Sequence, residues 1–243
     1  MSLSLTPIEI LHSSFSLVAI VISILIGLII ISKYFKFKQR NFLLIGIFWT
    51  GLTFPWLPTV ITFIMVLTVG YGLPVQGYIL IGIMILPLTV LCGLTAFTNL
   101  LGVKRKRRRA ILLSVLVFNL VYESLIIYFL IRNVDIIARL ADVLTIQWSI
   151  FSQIYFIINL VLFLVTGILF SRKSLQSESK EIRFKGKLLM AAFISFTIGT
   201  VLDFAIPNPI TYIIARLILL SSSIEFYIGF LLPERIKRLL IKE

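Results

Sequence analysis

The stretch ITYIIARLILLSSSIEFYIGFLL, residues 210–232, sets an arginine, Arg216, and a glutamate, Glu225, inside a run that is otherwise apolar or weakly polar. About 20 such residues are enough to cross a hydrocarbon core of ~30 Å. Six further segments meet the same length, at approximately 12–32, 43–69, 76–102, 110–132, 148–170 and 188–206. With 59% of 243 residues apolar and 14% charged, the bilayer is the solvent for most of the chain. The fold class expected is an all-α membrane protein, a bundle of seven transmembrane helices. Residues 1–232 form one domain, and residues 233–243 form a short basic tail.

The net charge of +13 is not spread evenly. Basic residues gather at Lys33, Lys36, Lys38 and Arg40, at KRKRRR (104–109), at Arg172, Lys173, Lys180, Arg183, Lys185 and Lys187, and after Pro233. The alternate loops carry few. By the positive-inside rule this places the N-terminus outside and the C-terminus inside a cell membrane. The first span has no Lys or Arg before it and is followed by KYFKFKQR, so it reads as a retained helix. KRKRRR is then a topology determinant that attracts anionic lipid headgroups, and nucleic acid is not an expected partner. In the tail, Ile236, Leu239 and Leu240 share helical spacing and lay it along the inner leaflet.

Several chemistries are disfavoured by what is missing. One histidine, His12, cannot supply the paired ligands of a membrane haem or the cluster of a zinc hydrolase, and it reads as an interfacial residue. The last span has no lysine for a retinal Schiff base. The single cysteine, Cys92, cannot form an intramolecular disulfide and reads as a core residue. No catalytic residue, metal ligand or cofactor is assigned, and the chain is read as non-enzymatic.

Ionisable groups inside spans are costly and normally find partners in the bundle interior. Four occur: Glu123 in the fourth span, Asp203 in the sixth, and Arg216 and Glu225 in the seventh. On the inferred topology Asp203 lies about 5 Å, Arg216 about 10 Å and Glu123 about 13 Å below the outer helix ends. A guanidinium can contact two carboxylates, so these three are expected to meet in an outer-half polar cluster. Asn119 and Tyr122 share a face with Glu123, and Gly199 and Thr200 with Asp203; Gln153, Tyr155 and Asn99 are further candidates. On the seventh span Tyr212, Arg216, Ser223 and Tyr227 form one stripe. Ser221 and Glu225 fall on the opposite face, as an inner-half polar site. Polar groups on both faces predict a helix surrounded by other helices.

The loop 133–147 contains VDIIARLADVL, whose spacing predicts a short interfacial helix capping the bundle. Pro55 and Pro58 in the second span, and Pro87 in the third, predict kinks that either open a cavity or serve packing alone. NPITY (208–212) matches a receptor pattern but lies at the wrong end of its helix, and Asn208 with Pro209 reads as a helix start.

The final helix runs through Tyr227, Gly229 and Phe230 to Pro233 and a basic segment. This resembles the end of the seven-transmembrane sensor module found in some prokaryotic histidine kinases and in uncharacterised archaeal membrane proteins. The resemblance implies a receptor- or sensor-like role in signal transduction. No kinase domain follows Pro233 in this sequence, so a separate cytoplasmic signalling protein is the expected partner. The alternatives are a small-solute or ion transporter using the intramembrane carboxylates, and a scaffold subunit. No internal repeat relates spans one to three with five to seven.

Overall fold

The computed structural model describes residues 5–206 and 208–240; the side chains of Pro209, Arg235, Leu239 and Leu240 are outside that description, so the tail's expected Leu239 and Leu240 face lies outside the described residues. Among the described residues the chain is all-α apart from one small hairpin, and seven helical segments are long and apolar enough to cross a membrane. The first is α1 (Pro7–Phe37). The second is split into α2 (Arg40–Gly51) and α3 (Leu57–Val69), and the third into α4 (Val75–Ile83) and α5 (Leu86–Leu100). The remainder are α6 (Arg105–Arg132), α7 (Ile150–Leu175), α8 (Lys180–Ala205) and α9 (Pro209–Leu231), followed by the short α10 (Glu234–Leu240). Each expected span is present.

Local chemistry sets the helix ends. Before α1, the Thr6 hydroxyl accepts from Glu9 N–H and the Glu9 carboxylate accepts from Thr6 N–H, a reciprocal capping box with Pro7 in the first turn. Asn208 starts α9 by accepting from Ile210 N–H at 2.9 Å, which is the capping role read from NPITY. Gly70 closes α3 at φ 82°, a left-handed conformation that costs glycine little.

Successive spans run antiparallel through short loops. The basic loops therefore gather at one end of the bundle, here termed the basic end. There Lys173 donates to the carbonyls of Leu100 and Leu101, and Glu181 lies 2.8 Å from both Lys185 and Lys237. The opposite end is closed by residues 133–149 and is termed the cap end.

The cap departs from the expected interfacial helix. A single 3₁₀ turn (Val134–Ile136) leads into strand β1 (Ala138–Leu140), which pairs antiparallel with β2 (Ile146–Trp148). Asp142 explains the difference, because its carboxylate accepts from Leu144 N–H at 2.8 Å and Ala141 N–H reaches Thr145 O, closing a turn where a helix would need an uninterrupted ladder. Ile137, Ala138 and Leu144 are fully buried, so the hairpin plugs the end of the bundle rather than floating on it. Tyr78 anchors it through Val143 O, and Ser152 through Ile137 O.

The prolines in spans two and three each sit in the first turn of a new helical segment, where the missing N–H breaks no ladder bond. At the two breaks Thr53 Oγ1 donates to Thr50 O and Thr89 Oγ1 to Ile85 O, each adding a second bond to a carbonyl that also accepts a backbone N–H. The breaks lie side by side: a Cβ on Gly82 would stand 3.6 Å from Pro55 Cα.

Below the breaks the core is aromatic. Trp49 stacks on Phe226 at 3.8 Å between centroids, and Phe193, Phe163, Phe97 and Phe48 continue the cluster in edge and tilted contacts. With lipid as apolar as the interior, packing rather than the hydrophobic effect decides which helices touch, and small residues let them approach. Gly167 of α7 is such a place, since a Cβ there would meet the Phe193 ring at 2.3 Å. Phe193 is fully buried and has no room to withdraw. Gly167→Ala is therefore expected to destabilise the purified protein by roughly 1–3 kcal/mol, seen as a lower melting midpoint in detergent. Gly82→Ala, whose Cβ would meet only ordinary contacts from 3.6 Å outward, should leave the midpoint unchanged.

Candidate functional site

Arg216 lies 4% exposed in the cap half of the bundle. Its Nη1 is 2.6 Å from Asp203 Oδ1 across α8 and α9, a close ion pair that is not aligned as a linear hydrogen bond. Its Nε donates to Ser16 Oγ at 2.8 Å, and Ser16 in turn donates to His12 O. The guanidinium carbon sits 5.3 Å from the Trp56 ring centre, while Trp56 Nε1 donates to Asp203 Oδ2 at 2.6 Å. One arginine thus ties together spans one, two, six and seven.

Trp56 owes its position to the proline break, which ends α2 early and turns the indole toward the centre. Asp203 stands near the end of α8, held on both oxygens. Such pairing is what permits two charges in a low-dielectric interior. His12 and Tyr212 complete the group with ring centroids 5.1 Å apart.

This group forms part of the wall of a cavity of about 390 Å³. The cavity begins under the cap at Leu144–Trp148, passes between the broken spans at Pro55, Trp56, Thr59 and Leu86, and ends on Phe48, Phe97, Phe163 and Phe196. Its size lies within the range of small-molecule sites, roughly 300–1,000 Å³. Besides the ion-paired Asp203 Oδ1 and Arg216 Nη1, the buried His12 Nε2, Asn159 Oδ1 and Thr200 Oγ1 on its wall residues have no hydrogen-bond partner. Buried polar atoms are normally paired, so unpartnered ones in the wall mark this cavity as the candidate site.

The expected three-charge cluster divides in two. Asp203, Arg216 and Tyr212 come together as predicted, with Thr200 beside them in the wall. Glu123, Asn119 and Tyr122 do not join them. Asn119 accepts from the Tyr155 hydroxyl at 2.6 Å, and Tyr122 stacks on Tyr155 at 4.2 Å and donates to Phe151 O, so this face of α6 seals a seam with α7. Glu123 is half-buried beside that seam and makes no ion pair among the described residues. Span four stands outside the ring of helices around Arg216, and lying in the same half of the bundle did not imply adjacency. Gln153 does line the cavity, whereas Asn99 sits at the basic end, donating to Asn41 and accepting from Arg108.

The second expected site is partly formed. Ser221 donates to Glu225 Oε1 at 3.0 Å, one helical turn away. The expected surround is not: Ile210, Ile214, Leu217, Ser221 and Ile224 form an exposed stripe along α9, so this helix has an outward side. Ser221 tolerates that side because its hydroxyl is bonded within the helix. Ser223 faces inward and pairs with Ser23 at 2.8 Å.

His12 also departs from its reading as an interfacial residue. It is 5% exposed and packed on Tyr212. The i, i+4 relation of His12 and Ser16 was the sequence signal for an inward polar face, and Trp56 next to Pro55 was another. The cap residues Leu144–Trp148 carried no such signal. Among the described residues no three His, Cys, Asp or Glu come close enough to hold a metal ion.

No family model, curated protein or solved structure matches this chain.

The geometry assigns Asp203, not Glu123, as the counter-ion of Arg216. Arg216→Leu should cost roughly 3–5 kcal/mol by stranding the Asp203 carboxylate, measured as a fall in the melting midpoint of the detergent-purified protein. Adding Asp203→Asn should recover most of that loss. Adding Glu123→Gln in place of Asp203→Asn should recover none.

Proposed function

We propose that the chain is a receptor- or sensor-like, non-enzymatic protein of the cell membrane, with the cap end outside and the basic end inside. In this reading a small molecule occupies the cavity beside Arg216 and Asp203, and the occupied state is read at the basic end by a separate cytoplasmic protein. The observation that carries it is the cavity itself: polar atoms without partners on His12, Asn159 and Thr200 surround an apolar space of ligand size. The basic end offers Lys33, Lys36, Lys38, Arg40, the 104–109 cluster and α10 to anionic lipid or to an acidic partner.

Transport is the less favoured reading because the cavity ends on packed rings. Phe48, Phe97 and Phe163 form its floor, and Trp49 stacked on Phe226 lies in the same aromatic core. A solute path would need this cluster to part.

The test uses a Cys92→Ser background with an environment-sensitive fluorophore at Ser177→Cys, in the basic-end loop, and a small-molecule library added to protein in nanodiscs. Compounds that shift the label should do so in this background and not when Arg216→Leu and Asp203→Asn are added. The same compounds should not accumulate in proteoliposomes. Accumulation that is lost with Asp203→Asn would instead establish the transporter.

A further inference from the structure

The cavity wall also constrains the chemistry of what it holds. Resting on the small-molecule reading above, we infer that its ligand is an uncharged, elongated lipophilic alcohol.

Charge is the first constraint. Among the wall residues the formal charges are those of Asp203 and Arg216, and these neutralise each other at 2.6 Å. Each is engaged by protein groups: Asp203 Oδ2 by Trp56 Nε1, Arg216 Nε by Ser16, and the guanidinium face by the Trp56 ring. A charged ligand of either sign would add a charge to a pair that already balances itself, with no second counter-ion in the wall. That costs more than a new contact returns. A neutral ligand leaves the pair intact.

Shape is the second constraint. On α7 alone the wall runs from Gln153 through Phe156, Asn159 and Phe163 to Thr166, which at 1.5 Å per residue is about 20 Å of helix. A volume of about 390 Å³ drawn out over that length describes a narrow slot. It suits an extended chain or an edge-on ring system. Most of the surrounding groups are aromatic or aliphatic, so the body of the ligand is apolar.

Hydrogen bonding is the third. Asn159 is 7% exposed, and its amide nitrogen already donates to Tyr155 O at 2.9 Å, which leaves Oδ1 as an acceptor without a donor. Only a ligand that donates can satisfy it, after a small turn about χ2. Thr200 Oγ1 and His12 Nε2 are also without partners and accept either role. An ether or ketone offers acceptors alone. A hydroxyl donates to Asn159 and keeps its lone pairs for a second wall group.

The test is quenching of tryptophan fluorescence in nanodiscs by 12-bromododecan-1-ol, its methyl ether, 12-bromododecanoate and the 12-bromododecylammonium ion. Trp56 and Trp148 both line the cavity, so an occupant quenches saturably, above the linear quenching from probe dissolved in the bilayer. The alcohol should saturate. The ether should bind about 3–10-fold more weakly, the effect of one neutral hydrogen bond, and the two ions should give only the linear component. Asn159→Leu should bring the alcohol down to the level of the ether, and Leu160→Trp, which fills the slot, should abolish saturation in protein whose melting midpoint is retained. If either ion binds as tightly as the alcohol, the ligand class is wrong while a small-molecule site still stands. If no probe saturates, the inference is overturned, and the labelled-loop screen decides separately whether the cavity takes another kind of molecule.

Discussion

An arginine buried in a helix bundle surrounded by hydrocarbon must have its charge balanced locally, because neither water nor lipid can do it. Around Arg216 that requirement recruits Asp203 from α8, Ser16 from α1 and Trp56 from the proline break. Each is a fixed point between helices that the hydrophobic effect alone would not hold together in lipid. The arrangement is also self-contained. Asp203 takes a hydrogen bond from the same indole whose face receives the guanidinium, so the three side chains position one another. Removing one leaves the others mismatched, which makes the cluster cooperative rather than a sum of contacts.

The space beside this cluster follows from the breaks in spans two and three. A continuous helix through residues 51–57 would carry Trp56 elsewhere and bring its neighbours closer to α5. Instead Pro55, Pro58 and Pro87 begin new segments side by side, and the Thr53 and Thr89 hydroxyls bond carbonyls at the breaks a second time. The slot that results is roofed by a hairpin whose inward face, Ile137, Ala138 and Leu144, is as buried as the core. A cap with buried residues is part of the packing, and the cavity beneath it is therefore a fixed feature of the fold.

Span number and the Asn-Pro start of α9 were legible in the sequence because each depends on local composition, whereas the Thr-Pro-Ile-Glu box that starts α1 at Pro7, ahead of the expected bound near 12, was not read. The Arg216 and Asp203 pairing was legible too, since both residues lie on neighbouring spans joined by a tight loop and at similar depth. Glu123 was not separable from them by the same reasoning. Its position along the helix fits the same half of the bundle, but lateral position depends on which helices pack, and that is set by contacts such as Tyr122 on Tyr155 that no periodicity encodes. The cap was misread for a related reason. VDIIARLADVL fits helical spacing, yet the bond from Leu144 N–H to Asp142 and the pairing of Ala138 with Trp148 outweigh a helix of that length, which has little intrinsic stability.

Arg216 is also the first of a row of inward contacts along α9. Along α9 the inward residues meet spans one, two and six: Arg216 meets α1 and α8, Ser223 meets Ser23 of α1, and Phe226 and Phe230 pack on Trp49 and Phe42 of α2. These contacts sit at helical spacing on one face, while the opposite face is an exposed apolar stripe with nothing to resist sliding. Of these contacts the buried ion pair tolerates displacement least, because parting it strands a charge. It lies at the cap end, whereas the hydroxyl pair and the stacked rings lie toward the basic end, so α9 is fixed by charge at one end and by packing at the other.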